Sequence, residues 1–182
     1  DTDLLNSVSK SVFIPIAAGG GIKSVENAAA ILRNGADKVC LSSEAVRNPS
    51  LVTQIAEEFG SQAVVGTIYC KRLSDSYEVL IDAARERTGR DPFEWSKELQ
   101  DRGAGEILFV SVDRDGTRKG LDRELLVRAR ESTNLPLIVS GGFSGLGDVE
   151  FSSSCGIDAI ASADYLHFAR GDLAELAAAT GG

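Results

Sequence analysis

Two stretches of this chain decide its fold: residues 15–37, which read PIAAGGGIKSVENAAAILRNGAD, and residues 136–158, which read PLIVSGGFSGLGDVEFSSSCGID. Proline, two glycines and an aspartate recur in one register, each later residue lying 121 positions after its earlier counterpart. The pairs are Pro15 and Pro136, Gly20 and Gly141, Gly35 and Gly156, and Asp37 and Asp158. An internal repeat of this kind indicates two related structural halves.

The chain alternates short apolar runs with longer stretches of helical periodicity. The apolar runs lack polar alternation, so both faces of their sheet must be covered, which is typical of parallel α/β folds. A further hairpin is expected in the long segment 74–89, around residues 77–81. We predict strands at 12–18, 38–42, 63–68, 106–112, 135–140 and 158–163, and helices at 24–34, 48–59, 91–102, 122–132, 144–154 and 172–179.

The repeat offset spans four of the six predicted strand–helix units. A fold that repeats itself after four such units is a (βα)8 barrel built from two halves. The two middle units have no later counterparts, and their earlier counterparts would precede Asp1. The count therefore predicts a single domain over residues 1–182. That domain is an α/β fold, a parallel TIM-type barrel with six of eight βα units present and the first two missing.

Composition limits the classes of partner. With 27 acidic and 19 basic residues the net charge is −8, so the surface repels polyanions, and we expect neither nucleic acid nor an anionic membrane as a partner. No apolar run approaches the roughly 20 residues needed to cross a bilayer. The three cysteines form no CxxC pair, and no histidine and carboxylate cluster has metal-ligand spacing. We expect a cytoplasmic protein without a metal or other cofactor.

Two glycine-rich turns, at residues 18–22 and 140–144, each end a strand and open a helix. Glycines let backbone N–H groups approach an anion closely, and a helix N-terminus adds a favourable dipole. The next strand of each half ends in Ser42-Ser43 and in Ala163-Asp164. Each half is therefore predicted to form one phosphate cradle, and the pair implies a ligand with a phosphate at each end.

The segment Asp113-Arg114-Asp115-Gly116-Thr117 follows the fourth predicted strand. Barrels of this type keep their catalytic groups at the carboxyl ends of the strands. Two carboxylates and a hydroxyl can serve there as general acid or base. The alternative is an Asp-Gly turn with solvated charges.

Five segments together carry a family resemblance: AGGGI at 18–22, GADKV at 35–39, FGSQAVV at 59–65, GAGEIL at 103–108 and DRDGT at 113–117. From Val12 onward the chain resembles the cyclase subunit of imidazole glycerol phosphate synthase and its relatives in surface-polysaccharide amidotransfer. The resemblance implies a (βα)8 barrel that takes ammonia from a glutaminase partner. With it, such a subunit converts a ribulosyl compound carrying two phosphate ends into imidazole glycerol phosphate and an aminoimidazole carboxamide nucleotide.

The resemblance also implies roles for individual residues. The residues matching one phosphate site are Gly20, Gly21, Ser42 and Ser43, and those matching the other are Gly116, Gly141, Gly142, Ala163 and Asp164. Asp115 matches an assisting carboxylate, with Thr117 beside it. At the amino end of the barrel, Lys38 and Glu106 match two members of the charged gate through which ammonia enters, and Asp37 matches a residue that faces the glutaminase.

The chain departs from the family at its catalytic positions. Tyr69 stands where the family has its second catalytic aspartate, and the first catalytic aspartate would lie on a strand before Asp1. Asp164 replaces a serine at one phosphate site, where a carboxylate repels the ligand, and Ser42 replaces an asparagine at the other. A free phenol titrates near about 10 and is a poor base at neutral pH.

We therefore expect this chain to be inactive by itself, although its family is a lyase. Two alternatives remain open. One is a non-catalytic barrel remnant that binds a phosphorylated ligand and self-associates, and the other is a cyclase-like subunit of surface-polysaccharide amidotransfer. An incomplete barrel leaves two unpaired sheet edges and exposed apolar surface, which favours a homodimer. The expected partners are thus a bisphosphate, a second copy of the chain and a glutaminase subunit.

Overall fold

A computed structural model describes residues 2–168 together with Ala174, Leu176 and Ala178. The chain divides into two compact units. Unit 1 contains the residues up to 67 and residues 98–106, whereas unit 2 contains residues 68–97 and those from 107 onward. In the part of the chain that the structure describes, no helix is long and apolar enough to cross a membrane.

Unit 1 is built on parallel strands. Strand β1 (Ala17–Gly19) pairs with β2 (Lys38–Leu41), which in turn pairs with the first part of β3 (Val64–Arg72). The helices of this region are α1 (Thr2–Ser9), α2 (Val25–Arg33), α3 (Ser43–Arg47) and α4 (Ser50–Phe59). Their apolar faces bury a core that includes Ala28, Val39, Leu41, Leu51, Val52 and Ile55. Within β2 burial alternates, so that Val39 and Leu41 are buried whereas Lys38 and Cys40 are half-buried.

Unit 2 repeats the parallel arrangement and adds a hairpin. The end of β3 pairs antiparallel with β4 (Tyr77–Ile81), and β4 pairs with β5 (Glu86–Arg87). After α5 (Pro92–Asp101) comes β6 (Glu106–Ser111), which pairs in parallel with β7 (Leu137–Ser140), and β7 pairs with β8 (Ala159–Ala161). The remaining helices are α6 (Arg123–Ser132), α7 (Leu146–Ser154) and α8 (Asp164–His167).

The same hydrogen bonds recur in both copies of the sequence repeat. In unit 1 the Ile16 N–H donates to Asp37 Oδ2 at 2.8 Å, and the Asp37 N–H donates back to the Ile16 carbonyl at 2.8 Å. In unit 2 the Leu137 N–H donates to Asp158 Oδ2 at 2.8 Å, and the Asp158 N–H donates back to the Leu137 carbonyl at 3.0 Å. Each aspartate thus joins the start of one strand to the start of the next, and the repeat is structural.

Helix ends also match across the repeat. The Gly35 N–H donates to the Leu32 carbonyl, and the Gly156 N–H donates to the Ser153 carbonyl. Both glycines have positive φ angles, 105° and 71°, which suit the residue that follows a helix and leads into the next strand. The parallel α/β fold predicted from the sequence is confirmed in each unit, whereas the count of six barrel units and the single domain stay predictions.

Several elements differ from the sequence prediction, and the short helices α3 and α8 were not predicted. Of the run 12–18 only residues 17 and 18 lie in β1, because Pro15 has no N–H and the Ile16 N–H is taken by Asp37. The third strand extends to Arg72 rather than ending at Ile68, because its last residues pair with β4 of the predicted hairpin. Helix α1 was not predicted, and the helix predicted at 172–179 lies for the most part outside the described residues.

Several large apolar side chains are exposed within each unit. In unit 1 Phe13 is 95% exposed and Ile14 72% exposed, and Leu4 and Val8 are exposed as well. In unit 2 the exposed ones include Phe168. Such surface is compatible with self-association, and the homodimer stays a prediction.

We expect Asp37→Ala and Asp158→Ala each to lower the free energy of unfolding by about 1–2 kcal/mol, because a strand N–H loses its acceptor. The corresponding Asp→Asn changes keep an acceptor oxygen and should cost less. Urea unfolding measures the difference. The exposed Asp75→Ala serves as control, with an expected change within about 0.5 kcal/mol. Alanine variants at 37 and 158 that behave like this control would contradict the role of the two bonds.

Candidate anion-binding site

A pocket of unit 2 lies at the carboxyl ends of the parallel strands β6, β7 and β8. Its lining residues are Asp115, Gly116, Arg118, Ser140, Gly141, Gly142, Phe143, Ala161, Ser162, Ala163, Asp164 and Tyr165. The structure therefore brings together every residue predicted for this phosphate site, and it places the predicted assisting carboxylate Asp115 beside them.

The two glycines after β7 allow a close backbone approach. Gly141 and Gly142 have φ angles of 100° and 91°, which side chains rarely adopt. A Cβ atom on Gly141 would lie 2.4 Å from the Ser111 carbonyl oxygen, and one on Gly142 would lie 2.6 Å from the Gly120 carbonyl oxygen. Glycine is needed at both positions, so the turn presents bare backbone to the pocket.

Internal hydrogen bonds hold the loop that follows β6. The Asp115 N–H donates to the Ser111 carbonyl at 3.0 Å, and the Gly120 N–H donates to the Gly142 carbonyl at 2.9 Å. The Thr117 hydroxyl donates to the Arg114 carbonyl at 2.6 Å. Thr117 is thus engaged in the turn of the loop and does not line the pocket, whereas its neighbour Gly116 does.

A buried carboxylate fixes the entrance to α7. Asp148 is 5% exposed, and it accepts hydrogen bonds from the Ser144 N–H at 2.8 Å, the Ser144 hydroxyl at 2.8 Å and the Leu121 N–H at 3.1 Å. In unit 1 the repeat counterpart is Asn27, whose Oδ1 accepts from the Lys23 N–H at 3.2 Å. This cap was not predicted, although the 121-residue offset relates the two residues.

Arg118 is the charged residue of the pocket lining that the sequence analysis missed. Its Nη2 donates to Asp164 Oδ1 at 2.7 Å, and its Nε contacts Asp164 Oδ2, so the ion pair is bidentate. The bond to Asp164 raises the pKa of the Arg118 guanidinium. The negative charge of Asp164 is therefore compensated in the structure. The available signal was the basic pair Arg118-Lys119 directly after the DRDGT segment.

The predicted phosphate residues of unit 1 follow adjacent parallel strands. Gly20 and Gly21 come after β1 with φ angles of 99° and 71°, and a Cβ on either glycine would meet open space. Ser42 and Ser43 come after β2, where Ser42 precedes α3 and its side chain makes no capping bond to that helix. Because β1 and β2 are paired and parallel, both segments leave the sheet at the same edge.

The predicted gate residues of unit 1 lie at the amino ends of strands. Lys38 Nζ and Glu106 Oε1 form an ion pair, in which the side chains are 28% and 21% exposed. Lys38 begins β2, and Glu106 begins β6. Asp37, the predicted glutaminase-facing residue, directs its Oδ2 to the Ile16 N–H. The structure thus brings Lys38 and Glu106 together at the strand ends opposite to Gly20.

Tyr69 lies within strand β3 of unit 2, where it is paired with Leu80 of the hairpin and is half-buried. Two residues later, Lys71 forms an ion pair with Asp113. Burial raises the pKa of the Asp113 carboxyl, but the bond from Lys71 and the bond from the Arg72 N–H at 2.7 Å outweigh burial, so the pKa is lowered. Asp113 is therefore an anchor at the start of the DRDGT loop.

A buried network joins the end of β3 to the start of α6. The Asp122 side chain, 2% exposed, accepts from Arg72 Nη2 at 2.7 Å, from the Tyr77 hydroxyl at 3.0 Å and from the Leu125 N–H at 3.2 Å. Arg72 Nη1 also donates to Glu124 at 2.7 Å. Burial raises the pKa of Asp122, but the bonds from Arg72, Leu125 and Tyr77 lower it overall. Burial and the adjacent Asp122 raise the pKa of Tyr77.

The described residues contain no group of three or more His, Cys, Asp or Glu side chains that could hold a metal ion. Three carboxylates of unit 2 are engaged by cations or backbone N–H groups, namely Asp113, Asp148 and Asp164.

Comparisons with known proteins agree with one another. The model of the family described as "Histidine biosynthesis protein" matches residues 1–172. The chain is similar to the imidazole glycerol phosphate synthase subunit HisF of Pyrobaculum aerophilum, with 44% identity over 166 residues, which are 91% of this chain and 66% of that protein. The HisF subunit of Dictyoglomus turgidum is 45% identical over 167 residues, again 91% of this chain and 66% of that protein. The chain thus spans about two thirds of the length of these curated relatives.

We expect Asp122→Asn to lower the free energy of unfolding by about 2 kcal/mol at pH 7, because Arg72 and Tyr77 lose an ionic partner. The native pKa of Asp122 is lowered. The Asp122 carboxylate therefore contributes its full stabilisation of the fold at pH values above its pKa in the unfolded chain, about 3.9. This contribution is lost as the pH falls through the pKa of Asp122 in the folded protein. Urea unfolding between pH 7 and 3 should show a smaller acid loss for Asp122→Asn than for the parent, with Asp75→Asn behaving like the parent. Equal acid losses in parent and Asp122→Asn would contradict the prediction.

Proposed function

The chain belongs to the histidine biosynthesis protein family, and from that premise we propose that it is an ammonia-dependent cyclase subunit whose unit 2 pocket binds a phosphate end of the substrate. The observation that carries the proposal is the glycine-lined pocket at the carboxyl ends of β6, β7 and β8. The substrate class is a ribulosyl compound with two phosphate ends, and the products are imidazole glycerol phosphate and an aminoimidazole carboxamide nucleotide.

The chemistry of the unit 2 pocket supports this assignment. Bare backbone at Gly116, Gly141 and Gly142 lets a phosphate oxygen come close to N–H groups, and Arg118 brings a cation to the same lining. Asp115 lies next to Gly116, and no ion pair within residues 2–168 engages its carboxylate. Asp115 is therefore the side chain in this pocket that we assign to assist proton transfer.

The second phosphate end is assigned to Gly20, Gly21, Ser42 and Ser43 of unit 1. Support comes from the structural repeat, because Gly20 and Gly141 have nearly equal φ angles of 99° and 100°. Backbone in the same conformation after the corresponding strand offers the same kind of approach to an anion. A bisphosphate is accordingly the proposed ligand class.

Ammonia delivery is the third part of the proposal. Lys38 and Glu106 form an ion pair at the amino ends of their strands, which suits a gate that opens when the pair separates. The relatives named above are subunits by name, and the proposed partner of this chain is a glutaminase subunit that faces Asp37.

Tyr69 favours a second candidate, a phosphate-binding protein of the same family without turnover. A tyrosine within the β3–β4 pairing supplies no carboxylate at this position. Self-association belongs to this candidate as well, because Phe13 and Ile14 expose apolar surface next to the edge strand β1. A second copy of the chain would cover that surface.

We expect millimolar or tighter binding of ribulose 1,5-bisphosphate by isothermal titration calorimetry, and a loss of about tenfold or more for Gly116→Asp. Gly116→Asn is the matched control, because it has the same size and lacks the charge. A Cβ at Gly116 meets open space, and Asn and Asp tolerate its φ of 70° better than most residues. The same pair of variants at Gly21 tests the unit 1 site. No binding by the parent, or equal binding by the Asp and Asn variants, would contradict the phosphate assignment.

We expect this chain to show strongly reduced ammonia-dependent cyclase turnover, because Tyr69 stands where the family has a catalytic aspartate and loss of one acid–base group commonly costs about 10²–10⁴-fold. The measurement is formation of imidazole glycerol phosphate with ammonium salt as nitrogen donor. Turnover close to that of an intact family enzyme, lost on Tyr69→Phe, would show that the phenol acts in place of the aspartate.

A further inference from the structure

Arg118 and Asp164 form a two-pronged ion pair at the unit 2 pocket. Both guanidinium nitrogens that face Asp164 bond to it, Nη2 to Oδ1 at 2.7 Å and Nε to Oδ2. This fork is the geometry in which arginine also binds a phosphate, because two N–H groups match two oxygens of either anion. Both side chains remain partly exposed, at 37% and 29%, so the pair is open to exchange with a ligand.

The backbone and an aromatic ring place the guanidinium at the pocket. Arg118 has a φ angle of 55°, a left-handed conformation that is uncommon for a residue with a side chain. Residues held in this way cluster at ligand clamps. The Arg118 guanidinium carbon lies 5.6 Å from the centre of the Phe168 ring, within cation–π distance. The Arg118 side chain thus contacts both Asp164 and Phe168. Gly116, two residues before Arg118 in the same loop, lines the pocket as well.

The charges of the residues that line the pocket also support binding of a phosphate by Arg118. Among the lining residues, all of which the structure describes, Asp115 and Asp164 are acidic and Arg118 is the one cation. A phosphate dianion that enters therefore competes with Asp164 for Arg118. A dianion has more charge to offer the guanidinium than a carboxylate has, whereas a singly charged phosphodiester has no such advantage.

We propose that the Arg118 guanidinium binds the substrate phosphate. Asp164 is a positioning residue that orients the guanidinium in the absence of ligand, and its hydrogen bonds to Arg118 are replaced by bonds from Arg118 to the phosphate when a phosphate dianion binds. This inference rests on the proposed function and adds how the site selects its ligand. No covalent step is involved: one anion replaces another on the same two N–H groups. The pair thereby favours phosphate monoesters over phosphodiesters.

A double-mutant experiment distinguishes two roles of Arg118, direct binding of the phosphate and neutralisation of the Asp164 charge. The probe is ribose 5-phosphate, titrated by calorimetry into the full chain. Arg118→Ala should weaken binding about tenfold, and Asp164→Asn should strengthen it about three- to tenfold, because the guanidinium is then released to the ligand. The decisive comparison is Arg118→Ala in the Asp164→Asn background, where the carboxylate that pairs with Arg118 in the structure is gone. We expect a loss of about tenfold there as well.

Two further measurements test the role of the planar guanidinium and the preference for phosphate monoesters over phosphodiesters. Arg118→Lys keeps the charge without the planar fork and should bind at least about threefold more weakly than the parent. The methyl diester of ribose 5-phosphate should bind more weakly than ribose 5-phosphate itself. In Asp164→Asn the ratio of the two dissociation constants should be smaller than in the parent. Thermal unfolding of each variant shows whether it is folded, and a variant that unfolds below the titration temperature is replaced by Arg118→Gln.

The possible results distinguish a failure of the proposed function from a failure of the inference about Arg118 alone. If the parent does not bind ribose 5-phosphate and Gly116→Asp changes nothing, the proposed function fails and this inference with it. If the parent binds and Gly116→Asp abolishes binding, but removing Arg118 costs nothing in the Asp164→Asn background, only this inference is overturned. Arg118 would then serve to compensate Asp164.

Discussion

The unit 2 pocket depends on a backbone approach that only glycine permits. Gly141 leaves β7 so close to the end of β6 that a Cβ would lie 2.4 Å from the Ser111 carbonyl oxygen. The loop after β6 then bonds to the same turn through the Gly120 N–H and the Gly142 carbonyl at 2.9 Å. Because Gly141 and Gly142 carry no side chain, they add backbone alone to the pocket lining, where an anion can approach their N–H groups.

Charge around the pocket is arranged by pairing. Asp113 is paired with Lys71, Asp122 with Arg72, and Asp164 with Arg118. In an acidic chain of net charge −8, each pair removes a carboxylate that would otherwise repel a phosphate. The cations involved come from the end of β3 and from the loop after β6. Of these cations, Arg118 from the loop after β6 is the one that lines the unit 2 pocket.

The sequence repeat predicted much of the architecture. Its offset of 121 residues relates the equivalent hydrogen bonds of Asp37 and Asp158. The order of strands and helices was predicted from apolar runs and helix caps, which are local signals. The predictions failed where a distant partner decides the outcome. The run 12–18 is mostly outside β1 because Asp37 takes the Ile16 N–H, and β3 continues past Ile68 because β4 pairs with it.

The same division holds for the site. Gly141, Gly142 and Ala163 were predicted because strand ends of a parallel sheet meet at one edge, whereas Gly116 and the role of Asp115 were implied by the family resemblance. The sequence by itself thus determined which loops line the pocket and that the chain belongs to the histidine biosynthesis protein family. Only the tertiary structure decided that Arg118 meets Asp164, 46 positions later in the chain, and that Thr117 turns into its own loop. Side-chain pairing across loops depends on three-dimensional distance and backbone angle, which no local pattern of residues specifies.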